Sequence, residues 1–343
     1  MAEVTPARQS STDTSAFVVS LFEHLLHRQP RPDEVAQWAA RLDAGMADRD
    51  VFRRFISSVE FKARNAVKPG HPPGHFYSPI VNPDDVKDYW ARSAAQNVGD
   101  LVGIDIDLPK MERLCYEQVS FIQSMKFSAE AGGETRYYHS DGRYPSGDAI
   151  VLAMMMNVYK PRAIIEIGSG FSSAVMLDAA DKIGLDPFHL TCIDPHADRL
   201  RSLLRPSDAG RVTVLEQNVQ KVAPTSFDAL GAGDFLFIDS SHVLKTGSDV
   251  HYELFQILPR LPSGVMVHFH DIQFPFEYPK EWIFHKGWSW NEIYAVRAFL
   301  SFNERFRIVF FNDLFFSKYR NVITALLPDV PRIIGGSLWL QVQ

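Results

Sequence analysis

The spacing of apolar positions along the 343-residue chain divides it into unequal parts. From Phe17 to Ala66 the period is helical. Phe17, Leu21 and Leu25 fall in one line, and Val18, Phe22 and Leu26 widen that stripe. Pro32, with acids behind it, opens a second helix that runs through Trp38 and Leu42 and ends at Gly45. A third is predicted from Asp50 to Phe61, with Phe52, Phe55, Ile56 and Val59 as its apolar face. Residues 1–15 are polar and rich in Ser and Thr, and read as a disordered tail. Residues 69–83, dense in Pro and Gly, read as a linker. Residues 84–131 look mainly helical, with Leu114, Val119 and Phe121 among their apolar positions, and 132–147 form a polar, aromatic loop. The division expected is a helical domain at 16–68, a helical and loop cap at 84–145, and the main domain at 146–343.

In that main domain short apolar runs alternate with helical patterns. A helix at Asp148 to Tyr159 precedes a buried strand at Ala163 to Ile167. A Gly-rich turn and a helix from Ala174 to Lys182 follow. Further strands are predicted at Leu190 to Asp194, Val212 to Glu216, Asp234 to Asp239 and from Gly264 into His270-Asp271. A helix from Asp249 to Leu258 lies before the last of these. Strands alternating with helices imply an α/β fold built on a doubly wound parallel sheet. Ligands of such sheets bind beyond the carboxyl ends of the strands. Glu166, Gly168, Asp194, Asp239, His242, His270 and Asp271 all fall near those ends, so they are the candidate site.

Composition narrows the class. Hydrophobic residues make up 46% and charged residues 22%, ordinary values for a globular protein. With Lys plus Arg at 35 and Asp plus Glu at 41, the net charge is −6, which argues against a nucleic-acid footprint. The two cysteines, Cys115 and Cys192, suggest neither a disulfide framework nor a thiolate zinc site. No apolar run approaches the roughly 20 residues that span a bilayer. The amino-terminal residues lack a signal-peptide core. A soluble cytoplasmic enzyme is the expectation.

Gly168-Ser-Gly170 lies between a strand and a helix, the context in which such a turn lets the backbone approach a ligand and the helix start favours an anionic group. Asp194, ending the next strand, is placed to accept hydrogen bonds from ribose hydroxyls. A nicotinamide-dependent dehydrogenase would share both features, but its third loop glycine is replaced here by Ser173.

The segments "IIEIGSGFSS", "TCIDPH", "FLFIDSSH" and "GVMVHFHDI" together resemble the class I S-adenosylmethionine-dependent methyltransferases, over about residues 145–275. The resemblance implies a Rossmann-like sheet, parallel with a late antiparallel strand, ending in a helix and an antiparallel hairpin. Glu292 to Asn303 fits that helix, and Phe306 to Phe311 and Leu338 to Gln341 fit the hairpin. Carried over, Glu166, Gly168, Ser169, Gly170 and Ser172 would hold the methionine part and Asp194 the ribose. Gln217 or Asn218 would stand where many members carry an acid near the adenine. Asp239 would also face the cofactor.

The "I-D-x-S-H" form of the fourth-strand motif resembles the macrocin and sugar O-methyltransferases and the cephalosporin hydroxylase-like group. That likeness implies a sugar or glycan acceptor and a role in polysaccharide biosynthesis. It also implies a divalent ion, Mg²⁺ or Mn²⁺, on Asp239, His270 and Asp271; His270 departs from the acid usual at its position, and a metal-free hydrogen-bond network is the other reading. His242 is the candidate general base, because a hydroxyl nucleophile gains from losing its proton as the new bond forms. The other reading makes His242 a helix cap or an orienter of Asp239. His268, two residues from His270 on the same strand, reads as structural. The aromatic segment "FPFEYPKEWIFHKGWSWNE" is either a hydrophobic lid or a surface for stacking on sugar rings. Lys245 and Lys280 are either anion contacts or solvated surface groups.

At the other end, "LFEHLLHRQPRPDEVAQWAARLDAG…VFRRFISSVEFKAR" resembles a short helical domain of unknown function found in bacterial proteins of surface-glycan assembly. It implies a docking module, possible partner a glycan-assembly protein, and no chemistry. Three functions follow: an O-methyltransferase, an NAD-dependent dehydrogenase, or a non-catalytic S-adenosylmethionine-binding scaffold.

Overall fold

The computed structural model describes residues 11–65, 70–326 and 335–343. It divides into two compact units, residues 1–78 and 79–343. The first ten residues of the expected disordered tail lie outside the described residues.

The smaller unit is all-helical: α1 (Ser11–Leu26), α2 (Pro32–Asp43), α3 (Asp48–Ser57) and α4 (Val59–Asn65). Helix α1 starts five residues earlier than expected, inside the segment read as disordered. Thr14 is buried there, and its hydroxyl donates to Asp43 Oδ1 at 3.3 Å. The core is Val18, Leu21, Phe22, Leu26, Leu42, Val51 and Phe55. The apolar face predicted for a continuous third helix is therefore only partly right: Phe52 and Val59 are exposed, and Val51 is buried in their stead. The reason is Ser58, whose backbone is extended and whose hydroxyl accepts from the Phe61 amide at 3.0 Å. A serine in that role ends one helix and caps the next. Arg28 ties the unit together, bridging Glu34 at 2.7 Å and Glu60 at 2.6 Å.

The larger unit opens with α5 (Pro83–Ala94), α6 (Leu108–Ser124) and α7 (Ser146–Tyr159). Its sheet is laid down by β1 (Ala163–Ile167), β2 (His189–Ile193), β3 (Val212–Leu215), β4 (Phe235–Ile238), β5 (Met266–His270), β6 (Phe306–Phe311) and β7 (Ser337–Val342). Between them come α8 (Phe171–Ile183), α9 (Asp198–Leu203), α10 (Asp249–Tyr252), α11 (Glu292–Leu300) and α12 (Asn312–Leu326). The strand order is β3-β2-β1-β4-β5-β7-β6. The first five run parallel, and β7 pairs antiparallel with both β5 and β6. This is the doubly wound Rossmann-like sheet with antiparallel late strands. The expected late strands pair antiparallel as β6 and β7, with α12 in the connection between them.

The central strands read as near-continuous apolar runs because helices cover both faces. All four residues of β4 and all five of β5 are buried. Helix α7 is apolar on every side and buried from Ser146 to Met156. It carries one charged residue into that core, Asp148.

The loop before α7 is held by a buried ion network. Arg136 pairs with Asp208 at 2.6 Å, Asp178 at 2.9 Å and Asp181 at 2.8 Å. The Asp178 carboxylate also accepts from the amides of Arg136 at 3.0 Å and Tyr137 at 2.9 Å. The loop is thereby fixed on α8, and Tyr144 with it: the Tyr137 hydroxyl donates to the Tyr144 carbonyl at 2.8 Å. The Arg136 side chain is only 2% exposed, so removing it strands buried carboxylates. Arg136→Ala should cost about 3–5 kcal/mol in chemical denaturation. An effect within the range of a surface substitution would show that the network does not hold the loop.

Candidate active site

The site sits where the strand order reverses. From β1 the chain runs outward to β2 and β3, then returns to β4 on the other side of β1, so the loops after β1 and β4 diverge and leave a crevice. Gly168 begins the first loop with φ +79°, and a Cβ there would overlap the carbonyl oxygen of Asp239. Only glycine permits that approach. The Asp239 amide donates to the Ile167 carbonyl at 2.9 Å, locking the two loops edge to edge.

A cavity of about 200 Å³ opens at this crevice. Gly168, Ser169, Gly170 and Ser172 line one side, Asp194 and Arg199 another, and Tyr144 and Asp239 the far end. Asp194 is held rigidly: its two carboxylate oxygens accept from the Ser169 amide at 2.9 Å and the His196 amide at 2.7 Å. Each retains a second lone pair for a ligand. The Tyr144 hydroxyl is buried and hydrogen-bonds to no group among the described residues. An orphaned hydroxyl in a cavity wall calls for a polar ligand.

Glu166, Gln217 and Asn218 do not line this cavity. Glu166 is fully buried and works from behind the loop. Its carboxyl receives the Ser172 hydroxyl at 2.6 Å, the Ser173 hydroxyl, and the Cys192 thiol at 3.4 Å. Burial pushes its pKa up to about 7 against the lowering effect of the serines. Glu166 thus shapes the turn that the ligand meets.

Beyond Asp239 lies a cluster of imidazoles and carboxylates. His242 Nδ1 is 2.8 Å from Glu292 Oε2, and Nε2 faces Asp239 Oδ1 at 3.6 Å and Asp271 Oδ2 at 3.5 Å. His242 and Asp271 therefore do address one point. Both have positive φ, +60° and +55°, a strained conformation for non-glycine residues that clusters at functional sites. The His242 carbonyl accepts from the Asn291 and Glu292 amides, each at 3.1 Å, which fixes the turn to the start of α11. Burial would lower the His242 pKa, but the Glu292 hydrogen bond and the charges of Glu292, Asp271 and Asp239 raise it to about 8. Burial works to raise Asp239, yet His270 first, and then His242, hold it down to about 2.

His270 sits deeper. Its Nε2 is 3.3 Å from Asp148 Oδ2, and its Nδ1 is 3.4 Å from Asp239 Oδ1 and 3.5 Å from Asp271 Oδ1. Tyr144 stacks on the ring at 5.1 Å. Among the described residues no group of three or more His, Cys, Asp or Glu side chains could hold a metal ion. The expectation of Mg²⁺ or Mn²⁺ on Asp239, His270 and Asp271 is corrected accordingly. Those ions want oxygen donors. A ligating imidazole must also leave one nitrogen lone pair to the ion, whereas both His270 nitrogens are turned to carboxylates. His268 is buried against Phe237 at 3.7 Å and Trp339 at 4.8 Å, and burial keeps it neutral.

The aromatic segment splits in two. Phe276 and Tyr278 belong to the core. Trp290 stands 4.4 Å from the His242 ring and stacks on Trp288 at 4.4 Å; Lys286 covers Trp288 at 4.4 Å. Sequence reasoning missed Glu292, Asp148, Tyr144 and Arg199. Glu292 and Asp148 each open a helix, where an acid is ordinarily read as complementing the helix dipole. The signal in Asp148 was its company, the apolar run that follows it.

The switch-point crevice thus holds a glycine turn and a carboxylate, with an imidazole–carboxylate cluster beside its cavity. Residues 165–272 match the family model of a methyltransferase domain, and residues 2–65 match a domain of unknown function (DUF4214). The chain is 32% identical over 165 residues to an uncharacterized protein of Archaeoglobus fulgidus, covering 46% of this chain and 73% of that one. It is also similar to a methyltransferase of Podospora anserina with S-adenosylhomocysteine bound, at 13% identity, coverage of 81% and 100%, and TM-score 0.40. A similar likeness holds to an O-methyltransferase of Bacillus cereus, at 12% identity, coverage of 76% and 100%, and TM-score 0.38. The chain belongs to the family of the Archaeoglobus protein, and its residues 165–272 form a methyltransferase domain.

Two outcomes follow from the site. Asp194→Ala should weaken S-adenosylhomocysteine binding at least ~tenfold by calorimetry, since a charge-assisted hydrogen bond is worth roughly 1.5–3 kcal/mol. Unchanged affinity would take Asp194 out of the cradle. Glu292→Gln removes the charge that raises His242, so the imidazole should titrate clearly below about 8 in a histidine NMR titration. An unmoved titration would dissolve the pair.

Proposed function

We propose that this protein transfers a methyl group from S-adenosylmethionine to a hydroxyl oxygen of a sugar in a glycan or glycoside, with His242 as general base. The observation that carries this reading is the His242–Glu292 pair at 2.8 Å, whose free nitrogen opens toward Asp239, the carboxylate that also lines the cofactor cavity. Base and cofactor cradle meet at one residue.

The donor supplies an electrophilic methyl when bound. Asp194 would hold its ribose, the turn at Gly168 to Gly170 its methionine part, and Tyr144 a polar atom near Asp239. The acceptor's proton leaves its oxygen for His242 Nε2 as that oxygen bonds to the methyl and the carbon–sulfur bond breaks. Glu292, on Nδ1, fixes the ring and stabilises the imidazolium that forms. Asp239 and Asp271 flank the same nitrogen and accept hydrogen bonds from the acceptor's hydroxyls. Trp290, beside His242 and stacked on Trp288, would wall the acceptor side of the site. Asp194 and the glycine turn alone would equally suit a nicotinamide enzyme. What favours methyl transfer is the base with its acidic partner at the end of the fourth strand.

The helical unit at the amino end is read as a docking module for a partner in glycan assembly. No helix among the described residues is long and apolar enough to cross a membrane.

The test is calorimetry with S-adenosylhomocysteine, then a labelled-methyl screen against glycans with the full chain. Binding without transfer to any hydroxyl acceptor would favour the scaffold reading; nicotinamide binding would favour the dehydrogenase. With an acceptor in hand, His242→Ala should lower kcat by ~10²–10⁴-fold, the usual worth of a general base. A base titrating at about 8 carries its proton at neutral pH. The rate should therefore climb about tenfold per unit on the acid side and level off above that value. A flat profile between pH 6 and 8 would remove His242 from the proton transfer.

A further inference from the structure

The cluster contains more negative charge than an interior tolerates without a counter-ion. Asp148 is fully buried, and Asp239 and Asp271 converge with it on one ring. Like charges at such separations cannot all stay ionised unless a cation stands among them. The group that stands there is His270. It is 4% exposed, and neither of its nitrogens makes an aligned hydrogen bond, so its contacts with the carboxylates are ionic in kind. Both nitrogens nevertheless face carboxylate oxygens, at 3.3 Å on one side and 3.4 and 3.5 Å on the other.

We propose that His270 is a fixed imidazolium whose single positive charge offsets part of the negative charge of Asp148, Asp239 and Asp271 from within, so that this site presents Asp239 and Asp271 to the acceptor without a divalent metal ion. The geometry is that of a cation held at three points. Asp148, the anchor, is itself immobilised: its Oδ1 accepts from Asn312 at 2.6 Å and Ser337 at 2.7 Å, leaving Oδ2 for the ring. Asn312 and Ser337 begin α12 and β7. Every neighbouring titratable group is consistent with a charged ring. Asp148 faces it from α7, Asp239 from the end of β4 and Asp271 from the end of β5. Tyr144 stacks on it, and His268, whose ring lies 6.0 Å away, is neutral. His242 approaches the same two carboxylates from the opposite side and keeps its own partner in Glu292. His270 is a positioning residue here: it touches no acceptor atom, and its work is to keep Asp239 ionised and aimed. The consequence for the reaction rests on the methyltransferase reading above; the charge state and metal independence do not.

The test therefore needs no acceptor. The full chain, purified without chelator, should carry substoichiometric metal by elemental analysis. Mn²⁺ added to it should stay free by electron paramagnetic resonance and leave its melting temperature unchanged. In histidine-selective ¹⁵N NMR the His270 ring should show both nitrogens protonated at pH 7. His270→Asp replaces the cation by a fourth carboxylate, an oxygen set suited to Mn²⁺. That variant should bind Mn²⁺ stoichiometrically and gain melting temperature from it. Stoichiometric metal in the wild-type protein, Mn²⁺ binding to it, or a neutral His270 ring would each overturn the proposal. So would a folded His270→Asp protein indifferent to Mn²⁺. If that variant does not fold, the wild-type metal content and NMR still decide. Failure of the function reading would appear separately, as loss of S-adenosylhomocysteine binding or of methyl transfer.

Discussion

The contact between Gly168 and the carbonyl of Asp239 governs the rest of the site. It forces the loop after β1 against the end of β4, with no side chain between them. The glycine turn and the Asp239 carboxylate thereby become one piece of structure. Everything chemical follows outward from that junction. On one side lie the cavity and Asp194, and on the other Asp239, then His242 and His270. A larger residue at 168 would separate two halves whose value depends on their distance, because a displacement of even about 1 Å between reacting groups costs rate heavily.

The second organising feature is charge held away from water. His242 and His270 both touch Asp239 and Asp271, yet each has a private acidic partner on a different element, Glu292 and Asp148. The partners set opposite tasks. Glu292 engages Nδ1 of a ring whose other nitrogen opens to the site, as a base requires. Asp148 engages a ring closed in on both sides, as a counter-ion requires. Two histidines of the same type, one turn of loop and one strand end, are thus assigned by their partners.

Much of the sheet was legible in the sequence, and for a simple reason. A strand buried on both faces is a short unbroken apolar run, and here three such runs end in an acid: Asp194, Asp239 and Asp271. The glycine turn between β1 and α8 was legible for the same local reason. What escaped was tertiary. Glu292 is fifty residues from His242, and nothing in its own helix start marks it as a partner. The metal expectation failed at the same level. Carboxylates near strand ends are visible one at a time, but whether a space between them is left open or filled by a ring is a property of packing. Helix α12 lies in the stretch between the two late strands to which no element was assigned. The third amino-terminal helix was drawn too long because a serine inside an apolar pattern reads as a surface position until its hydroxyl is seen capping the next turn.

Those misses share a direction. Apart from the serine that splits the third amino-terminal helix, the corrections came from elements far along the chain. Helix α12 and β7 bring Asn312 and Ser337 to Asp148, and Asp148 fixes His270. Helix α12 is therefore part of what holds the charge cluster in place. Without the Asn312 donor, Asp148 would stand less firmly in the core, a buried acid with fewer hydrogen bonds to offset its desolvation. The connection between the two late strands and the charge cluster beyond β4 and β5 meet at that one carboxylate.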